Sequence, residues 1–292
     1  ERAYQQAVAY ANERRQGRAI GATEPGSSPI VEHADVRRML MTMKAEIDAM
    51  RAVCYANAEA LDLARHHPDE EERRYAGRLV ELLTPISKGW STDLGCAVAS
   101  LGVQVHGGMG FIEETGAAQH YRDARILPIY EGTNGIQAMD LLTRKLPMEG
   151  GAVMREHIVR MRALDGPLSQ AGDDFAAMRA SLAATVDAVE QAAGWLLEKL
   201  AAEPNAAAAG CTPFLEMMGL VTGGFYLAKG ALAARRLLAG SGGDVDRAFL
   251  QGRIATARFF TEQLMPRAIA LLPAATAGSS LLYAIEGARL SA

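Results

Sequence analysis

The residues best suited to chemistry lie between positions 102 and 137, where glycines and polar side chains interrupt two plain helical patterns. Functional loops on rigid scaffolds have this character. Glu131 stands just before Thr133 and Asn134, either of which suits the start of a helix. A carboxylate at such a junction either stabilises the helix dipole or acts as a general base in a pocket, and position alone favours the first role.

Three glycines in the string GVQVHGGMGF (102–111) form a second candidate feature: Gly107, Gly108 and Gly110. Glycine lets the backbone approach a flat or phosphorylated ligand closely, and free N–H groups at the helix start near Thr133 favour anions. The cluster is neither a dinucleotide-binding fingerprint nor a P-loop, because no strand precedes it and no Lys-Ser or Lys-Thr pair follows.

Histidines and methionines in the first half favour structural roles. His66 and His67 precede a proline at a helix end and are expected in solvent, because a metal site would need more ligands. His106 is expected to be a packed, hydrogen-bonded imidazole rather than a catalytic one. Methionines that recur on one helical face predict core packing: Met39, Met41, Met43 and Met50.

Helices must position these residues. Apolar spacing by three, four and seven predicts a first helix over 2–14, then a long one with Asp35 as its N-cap that ends at 66–68. A helix of about 30 residues follows the acidic cluster 69–72, with a possible kink at Pro85. A short helix is predicted over 134–146, capped by Thr133 or Asn134. Strands are absent or marginal, so the fold class is all-α, beginning with a four-helix bundle.

The segment 147–151 (PMEGG) is the clearest break in the chain and predicts a boundary between two domains, 1–147 and 148–292. Beyond it the sequence is rich in alanine and predicts a second helical bundle with short connections. The breaks fall at sites such as 203–205 and 240–243. The predicted helices cover 152–164, 169–201, 209–239, 244–271 and 279–290.

Composition narrows the class of protein. Of 292 residues, 49% are hydrophobic and 22% charged, the net charge is −4, and both halves are slightly acidic, so nucleic acid is not an expected partner. Three widely spaced cysteines favour reduced thiols and a cytoplasmic location.

The apolar stretch 217–228 is too short to span a bilayer and predicts a buried helix. No secretory signal is visible. The chain lacks an initiator Met, and we expect it to be part of a longer polypeptide.

Three motifs in a fixed order carry a resemblance to a known family. They are GVQVHGGMGF (102–111), HYRDARI (120–126) and IYEGTNGIQ (129–137). Together they resemble the C-terminal helical domain of acyl-CoA dehydrogenases, and the likeness extends back through Glu13-Arg14 to cover about residues 1–147. Residues 148–292 resemble, by position and composition, a helical extension carried by some bacterial members.

The resemblance implies an FAD-dependent oxidoreductase that forms an α,β double bond in an acyl-CoA thioester. Glu131 corresponds to the base that removes the α-proton, so it must be poorly hydrated in the active enzyme. Tyr130 and Gly132 would line the thioester site. The residues implied in FAD binding are Arg14, Gln104, Gly108, Thr133 and Asn134.

The resemblance also implies partners and leaves alternatives open. An electron-transfer flavoprotein is the expected electron acceptor, and a homo-oligomer is expected. We expect the chain alone not to turn over substrate, since the family's other domains hold much of the flavin and acyl-CoA. Some members carry their base on an upstream helix. The alternatives are an acyl-CoA oxidase, or a non-catalytic assembly or DNA-binding module of the alkylation-response type, which should show a basic groove.

Overall fold

The computed structural model describes residues 1–240 and 246–291, and over these residues it is helical, with one isolated β-bridge between Arg15 and Pro29. The helices of the first half are α1 (Arg2–Glu13), α2 (Ala34–His66), α3 (Glu70–Pro85), α4 (Ser91–His106), α5 (Gly108–Phe111), α6 (Ala117–Ala124) and α7 (Asn134–Asp140). Short 3-10 turns cover Ile30–Glu32 and Glu113–Thr115, and five-residue π turns cover Ile86–Trp90 and Leu141–Lys145.

The N-termini of the two long helices α2 and α3 are capped differently. Asp69 caps α3, because its side chain accepts hydrogen bonds from the amides of Glu71 (2.7 Å) and Glu72 (3.1 Å). The prediction that Asp35 is the N-cap of α2 is wrong. His33 occupies the N-cap position, and Asp35 lies in the first turn, where it pairs with Arg38 at 2.8 Å.

The predicted kink at Pro85 takes the form of a π turn over Ile86–Trp90, after which the helix continues as α4. Proline has no amide hydrogen, so it cannot donate the hydrogen bond that a regular helix requires at that position. A local π turn adds one residue to the turn and is a common way to absorb such a disturbance.

The second half contains α8 (Ala152–Arg162), α9 (Asp165–Gln170), α10 (Ala176–Ala202), α11 (Pro204–Ala209), α12 (Cys211–Ala239), α13 (Arg247–Phe259) and α14 (Arg267–Ala275). Short 3-10 turns cover Met148–Gly151, Asp173–Phe175 and Gly287–Arg289, and a π turn covers Phe260–Leu264. The break predicted at 203–205 is confirmed. Most of the break predicted at 240–243, and the predicted helix start at 244, lie outside the described residues.

Four predicted helices of the second half are wrong in extent. The described part of the one predicted over 244–271 is divided into α13, a π turn and α14, and α14 continues to Ala275. The helix predicted over 169–201 is divided, because Gly172 takes a φ of +104° between α9 and α10. The one predicted over 209–239 begins at Cys211, after the separate α11. Residues 279–290 form turns rather than a helix, and their apolar side chains are exposed, so no packing compensates the entropy of ordering them as a helix.

The main hydrophobic core includes residues from both halves of the chain. Helix α12 lies at its centre, and the apolar stretch 217–228 is buried as predicted, with intermediate exposure only at Tyr226. By length and composition α12 could cross a membrane, but 78% of its most apolar window is buried inside the fold. Gly219 and Gly223 allow α12 to approach Trp90, which is 2% exposed. The extension therefore packs directly against the π turn of the first half.

Candidate active site

The loop that carries Glu131 has an unusual backbone. Glu131 has a φ of +52°, a left-handed conformation that non-glycine residues rarely adopt, and Gly132 follows with a φ of +82°. The amide of Tyr130 donates to the carbonyl of Ile126 (3.1 Å), and that of Asn134 donates to the carbonyl of Pro128 (3.0 Å). These bonds close the loop onto itself and place Glu131 at its exposed tip.

Asn134 and Lys88 attach this loop to the π turn. The buried Asn134 amide nitrogen donates to the carbonyl of Gly89 (2.9 Å) and meets the Thr92 hydroxyl at 2.9 Å. The Lys88 ammonium donates to the carbonyl of Gly132 (2.7 Å) and to the side-chain oxygen of Asn134 (2.9 Å). The Asn134 side chain is therefore engaged within the chain.

Lys88 and Thr92 belong to this site, although sequence reasoning did not single them out. Their partners lie more than 40 positions away, so no local spacing could reveal the contact. The available signal was a proline and a glycine four positions apart inside a helical pattern, Pro85 and Gly89, with Lys88 beside the glycine.

Thr133 and Tyr130 lie on the exposed part of the loop. Thr133 occupies the N-cap of α7, but its side chain makes no capping hydrogen bond. Its carbonyl accepts from the amides of Ile136 (2.9 Å) and Gln137 (3.2 Å). Tyr130 is 45% exposed. The side chains of Tyr130, Glu131 and Thr133 are thus accessible to a molecule outside the chain.

The glycine turn ends α4. Gly107 caps the helix with a φ of +61°, and its amide donates to the carbonyl of Gln104 (3.0 Å). A Cβ at position 110 would lie 2.2 Å from the carbonyl oxygen of Val103, so the turn requires glycine there. At Gly108 an added Cβ would meet nothing within 4 Å. Gly108 and Gln104 are both exposed.

His106 is packed, as predicted. It is 4% exposed, its Nδ1 lies 2.7 Å from the carbonyl of Gly102, and its ring stacks on Tyr10 with centroids 4.5 Å apart. These contacts fix the joint between α1 and α4 just before the glycine turn.

Arg14 lies at the end of α1, where it is exposed and donates to the side chain of Gln16 (3.2 Å). Most of its donors stay available to an outside group. Among the described residues, no hydrogen bond or ion pair joins Arg14, Gln104 or Gly108 to the Glu131 loop. The contacts therefore gather residues 130–134 into one site and do not connect these three residues to it.

The environment of Glu131 differs from the expected one. A base that removes a proton from carbon must be poorly hydrated, yet Glu131 is exposed in this chain. The low exposure expected for a desolvated base is therefore not found at Glu131 among the described residues.

The large pKa displacements lie elsewhere. Burial lowers the pKa of His157 to about 4 and raises that of Glu46 to about 7. His157 lines a cavity of about 410 Å³ together with Tyr75 and Phe225, and no residue of the Glu131 loop lines it.

Comparison with known proteins gives the family. The model of the acyl-CoA dehydrogenase C-terminal domain matches residues 1–146, and a model described as acetyl-CoA dehydrogenase C-terminal like matches residues 154–286. The chain belongs to the acyl-CoA dehydrogenase family.

Named relatives and a solved structure agree with this membership. The chain is 47% identical, over 91% of its length, to 3-methylmercaptopropionyl-CoA dehydrogenase of Ruegeria pomeroyi, and 30% identical, over 90%, to a butyryl-CoA dehydrogenase of Syntrophomonas wolfei. It spans 44% and 43% of those proteins. An acyl-CoA dehydrogenase of Bacillus anthracis, solved with FAD, matches 99% of the chain with a TM-score of 0.67 and 18% identity; the chain covers 46% of that structure. At that identity the match shows the fold alone.

Proposed function

We propose that the protein carrying this chain is an FAD-dependent acyl-CoA dehydrogenase in which Glu131 is the catalytic base. The observation that carries the proposal is the construction of the loop. An exposed carboxylate is held at a φ of +52° on a loop that side chains from another helix tie down. Backbone strain of this kind persists only where the surrounding structure enforces it, and it clusters at functional sites. Membership of the family and the activities named for the relatives support the same assignment.

The chemistry explains why a fixed carboxylate is needed. The α-hydrogen of a thioester is weakly acidic, so the base must be desolvated and held close to that carbon. Glu131 takes the α-proton on a carboxylate oxygen, while backbone N–H groups of the loop stabilise the charge that develops on the thioester oxygen. FAD, when bound, supplies the acceptor for the β-hydrogen, which leaves with its electron pair. Tyr130 and Gly132 line the thioester.

The residues proposed for FAD fit a negatively charged dinucleotide. Arg14 presents an exposed guanidinium that donates to the side chain of Gln16 at 3.2 Å, and such a fork suits a pyrophosphate. No atom of the described residues lies within 4 Å of a Cβ added at Gly108, which is consistent with close approach of an outside group there. Gln104 offers an exposed amide. Thr133 offers a free hydroxyl, while Asn134 acts by holding the loop.

The substrate class is an acyl-CoA thioester. The relative named for 3-methylmercaptopropionyl-CoA is 47% identical, so short thioether acyl groups are the first candidates. Butyryl-CoA, the substrate named for a second relative, provides the straight-chain comparison.

Further partners follow from the same proposal. An electron-transfer flavoprotein reoxidises the flavin, and the enzyme works in the cytoplasm as a homo-oligomer. Exposed apolar side chains on the Glu131 loop and on α7 support burial of this face by protein: Ile129 is 51% exposed and Ile136 is 58% exposed.

The test uses the protein that carries this chain, purified with its flavin spectrum recorded. Short thioether, straight, branched and aryl acyl-CoAs are then mixed with it anaerobically, and bleaching of the flavin is followed. We expect Glu131→Gln to retain FAD and to slow bleaching by at least about a hundredfold, because loss of a general base costs about 10²–10⁴. Glu114→Gln, which changes an exposed carboxylate in the turn Glu113–Thr115, should bleach at the parent rate.

Two results would contradict the proposal. Parent-rate bleaching by Glu131→Gln would remove the base assignment. Rapid release of hydrogen peroxide in air, without any need for an electron-transfer flavoprotein, would identify an oxidase instead.

A further inference from the structure

Lys88 makes contacts that a surface lysine seldom makes. Its side chain is half-buried, and its ammonium donates to the backbone carbonyl of Gly132 at 2.7 Å and to the side-chain oxygen of Asn134 at 2.9 Å. Across the described part of the chain, no carboxylate forms an ion pair with it. The charge of Lys88 is therefore directed at two neutral oxygens of one loop.

The carbonyl of Gly132 lies one peptide unit beyond Glu131 along the chain. Fixing that carbonyl fixes the orientation of the peptide plane between Gly132 and Thr133. The bond from the Asn134 amide to Pro128 fixes the other end of the loop. Between these two anchors Glu131 keeps its left-handed φ of +52°, which an unrestrained glutamate would leave.

The backbone of Lys88 is itself held by the π turn. The Thr92 hydroxyl donates to the carbonyl of Lys88 (2.7 Å), and the side-chain amide of Asn134 donates to the carbonyl of Gly89 (2.9 Å). From the other side α12 closes on the turn, since a Cβ at Gly89 would lie 2.7 Å from the side chain of Leu215. Helix α12 of the second half therefore packs against the turn that carries Lys88.

We propose that Lys88 is a positioning residue, which holds the Glu131 loop in the conformation needed for proton abstraction. The inference rests on the proposed function, because it assumes that Glu131 is the base. Lys88 acts through its hydrogen bond to the carbonyl of Gly132, without contact with the reacting atoms. The π turn orients the Lys88 side chain toward that carbonyl.

The test compares Lys88→Met and Lys88→Arg with Lys199→Met, which removes a half-buried lysine paired with Glu203. Lys88→Met should slow flavin bleaching by acyl-CoA about tenfold or more, as expected when a reacting group loses its fixed geometry. The FAD content should stay within about twofold of the parent, because Arg14, Gln104 and Gly108 lie outside the loop, and the KM for acyl-CoA should change less than the bleaching rate. Lys88→Arg keeps the charge and a donor and should recover part of the rate. Lys199→Met should match the parent.

Hydrogen exchange gives a second measurement that does not depend on activity. In Lys88→Met, the amides of residues 130–134 should exchange about tenfold faster, with those of α6 unchanged. Lys88→Gln replaces Lys88→Met if the latter does not fold. Parent-like exchange, parent-like bleaching, or a rise in KM at unchanged kcat would each overturn the proposal.

The two hypotheses fail in different ways. If Glu131→Gln is inactive and Lys88→Met is parent-like, only the role of Lys88 is lost. If Glu131→Gln bleaches normally, the assignment of the base is lost, and with it the role of Lys88 in proton abstraction.

Discussion

At the scale of single residues, burial displaces the pKa of one carboxylate, Glu46. Glu46 on α2 is 4% exposed and lies 3.7 Å from Arg267, which makes a closer pair with Glu216 at 2.7 Å. One buried carboxylate oxygen of Glu46 has no hydrogen-bond partner within residues 1–240 and 246–291. Desolvation is the largest influence on Glu46 and raises its pKa from 4.5 to about 7, while Arg267 acts in the opposite direction and Glu216 adds to the rise.

This displacement predicts a pH-dependent effect of Glu46→Gln. Between pH 4.5 and about pH 7, Glu46 holds a proton in the folded chain that it has released in the unfolded chain. The contribution of Glu46 to stability therefore falls as pH rises through that window. Glutamine does not titrate and removes this loss. Since a tenfold change in proton affinity is worth about 1.4 kcal/mol, the variant should gain on the order of 3 kcal/mol over the parent between about pH 4 and pH 8.

Urea unfolding of both proteins at each pH measures the difference. Taking the difference cancels other titrating groups, including His157. The lowered pKa of His157 has the opposite sign, because its contribution to stability falls as pH drops from 6.5 to about 4. A difference between Glu46→Gln and the parent that does not change with pH would contradict the prediction.

The Glu131 site shows what can be found at this scale from sequence. Glu131, Thr133 and the glycine turn stand in contiguous motifs, so their types and order are visible along the chain. Lys88 and Thr92 form hydrogen bonds with Asn134, which lies more than 40 positions away in sequence. The residue types lysine and threonine in a helical pattern do not by themselves indicate such a contact. The exposure of Glu131 could not be predicted either, because the requirement for desolvation describes the active enzyme rather than this chain.

At the scale of elements, close approach between helices depends on glycines in α12. A Cβ at Gly219 would lie 2.1 Å from the ring of Trp90, a contact that only movement of the helix or the ring could relieve. Gly230, further along the same helix, has nothing within 4 Å of an added Cβ. The two positions form a matched pair, since both exchanges raise helix propensity by the same amount.

We expect Gly219→Ala to lower the free energy of unfolding by about 1–3 kcal/mol, as overpacking does in a filled core. Gly230→Ala should raise it by about 0.5–1 kcal/mol, because glycine is unfavourable inside a helix. Denaturant midpoints at a common slope measure both effects. Equal effects of the two substitutions would show that Trp90 does not pack on α12 as described.

Element boundaries were predictable where local chemistry decides them. The end of α2 before Pro68 follows from the proline next to the boundary. The start of α3 was predicted too late, because Asp69 caps the helix and the acidic residues after it form the first turn. The π turns were not predictable, because a shift in backbone hydrogen bonding leaves the apolar spacing almost unchanged. The helix predicted over 279–290 fails for a different reason. Its apolar pattern is present, but Leu281 and Tyr283 are exposed at 82% and 72%, so tertiary packing does not support it.

At the scale of the whole molecule, one core joins the two regions that the sequence divides at 147. Trp90 from the first half packs on α12 from the second, and both belong to the same buried cluster. The boundary itself, at Met148–Gly151, is a short 3-10 turn with positive φ at Glu149 and Gly150. The break in sequence therefore marks a turn in the chain without a break in the core.

A shared core predicts cooperative unfolding of the whole chain. Trp195 lies in the second half, so Trp195→Phe leaves Trp90 as the only tryptophan and makes its fluorescence a probe of the contact between the halves. Far-ultraviolet circular dichroism of the same variant reports all helices. The two signals should give the same denaturant midpoint and slope, because separating α12 from the π turn would expose the buried cluster to water. Two transitions by circular dichroism, with Trp90 following only one, would show that each region keeps an independent core.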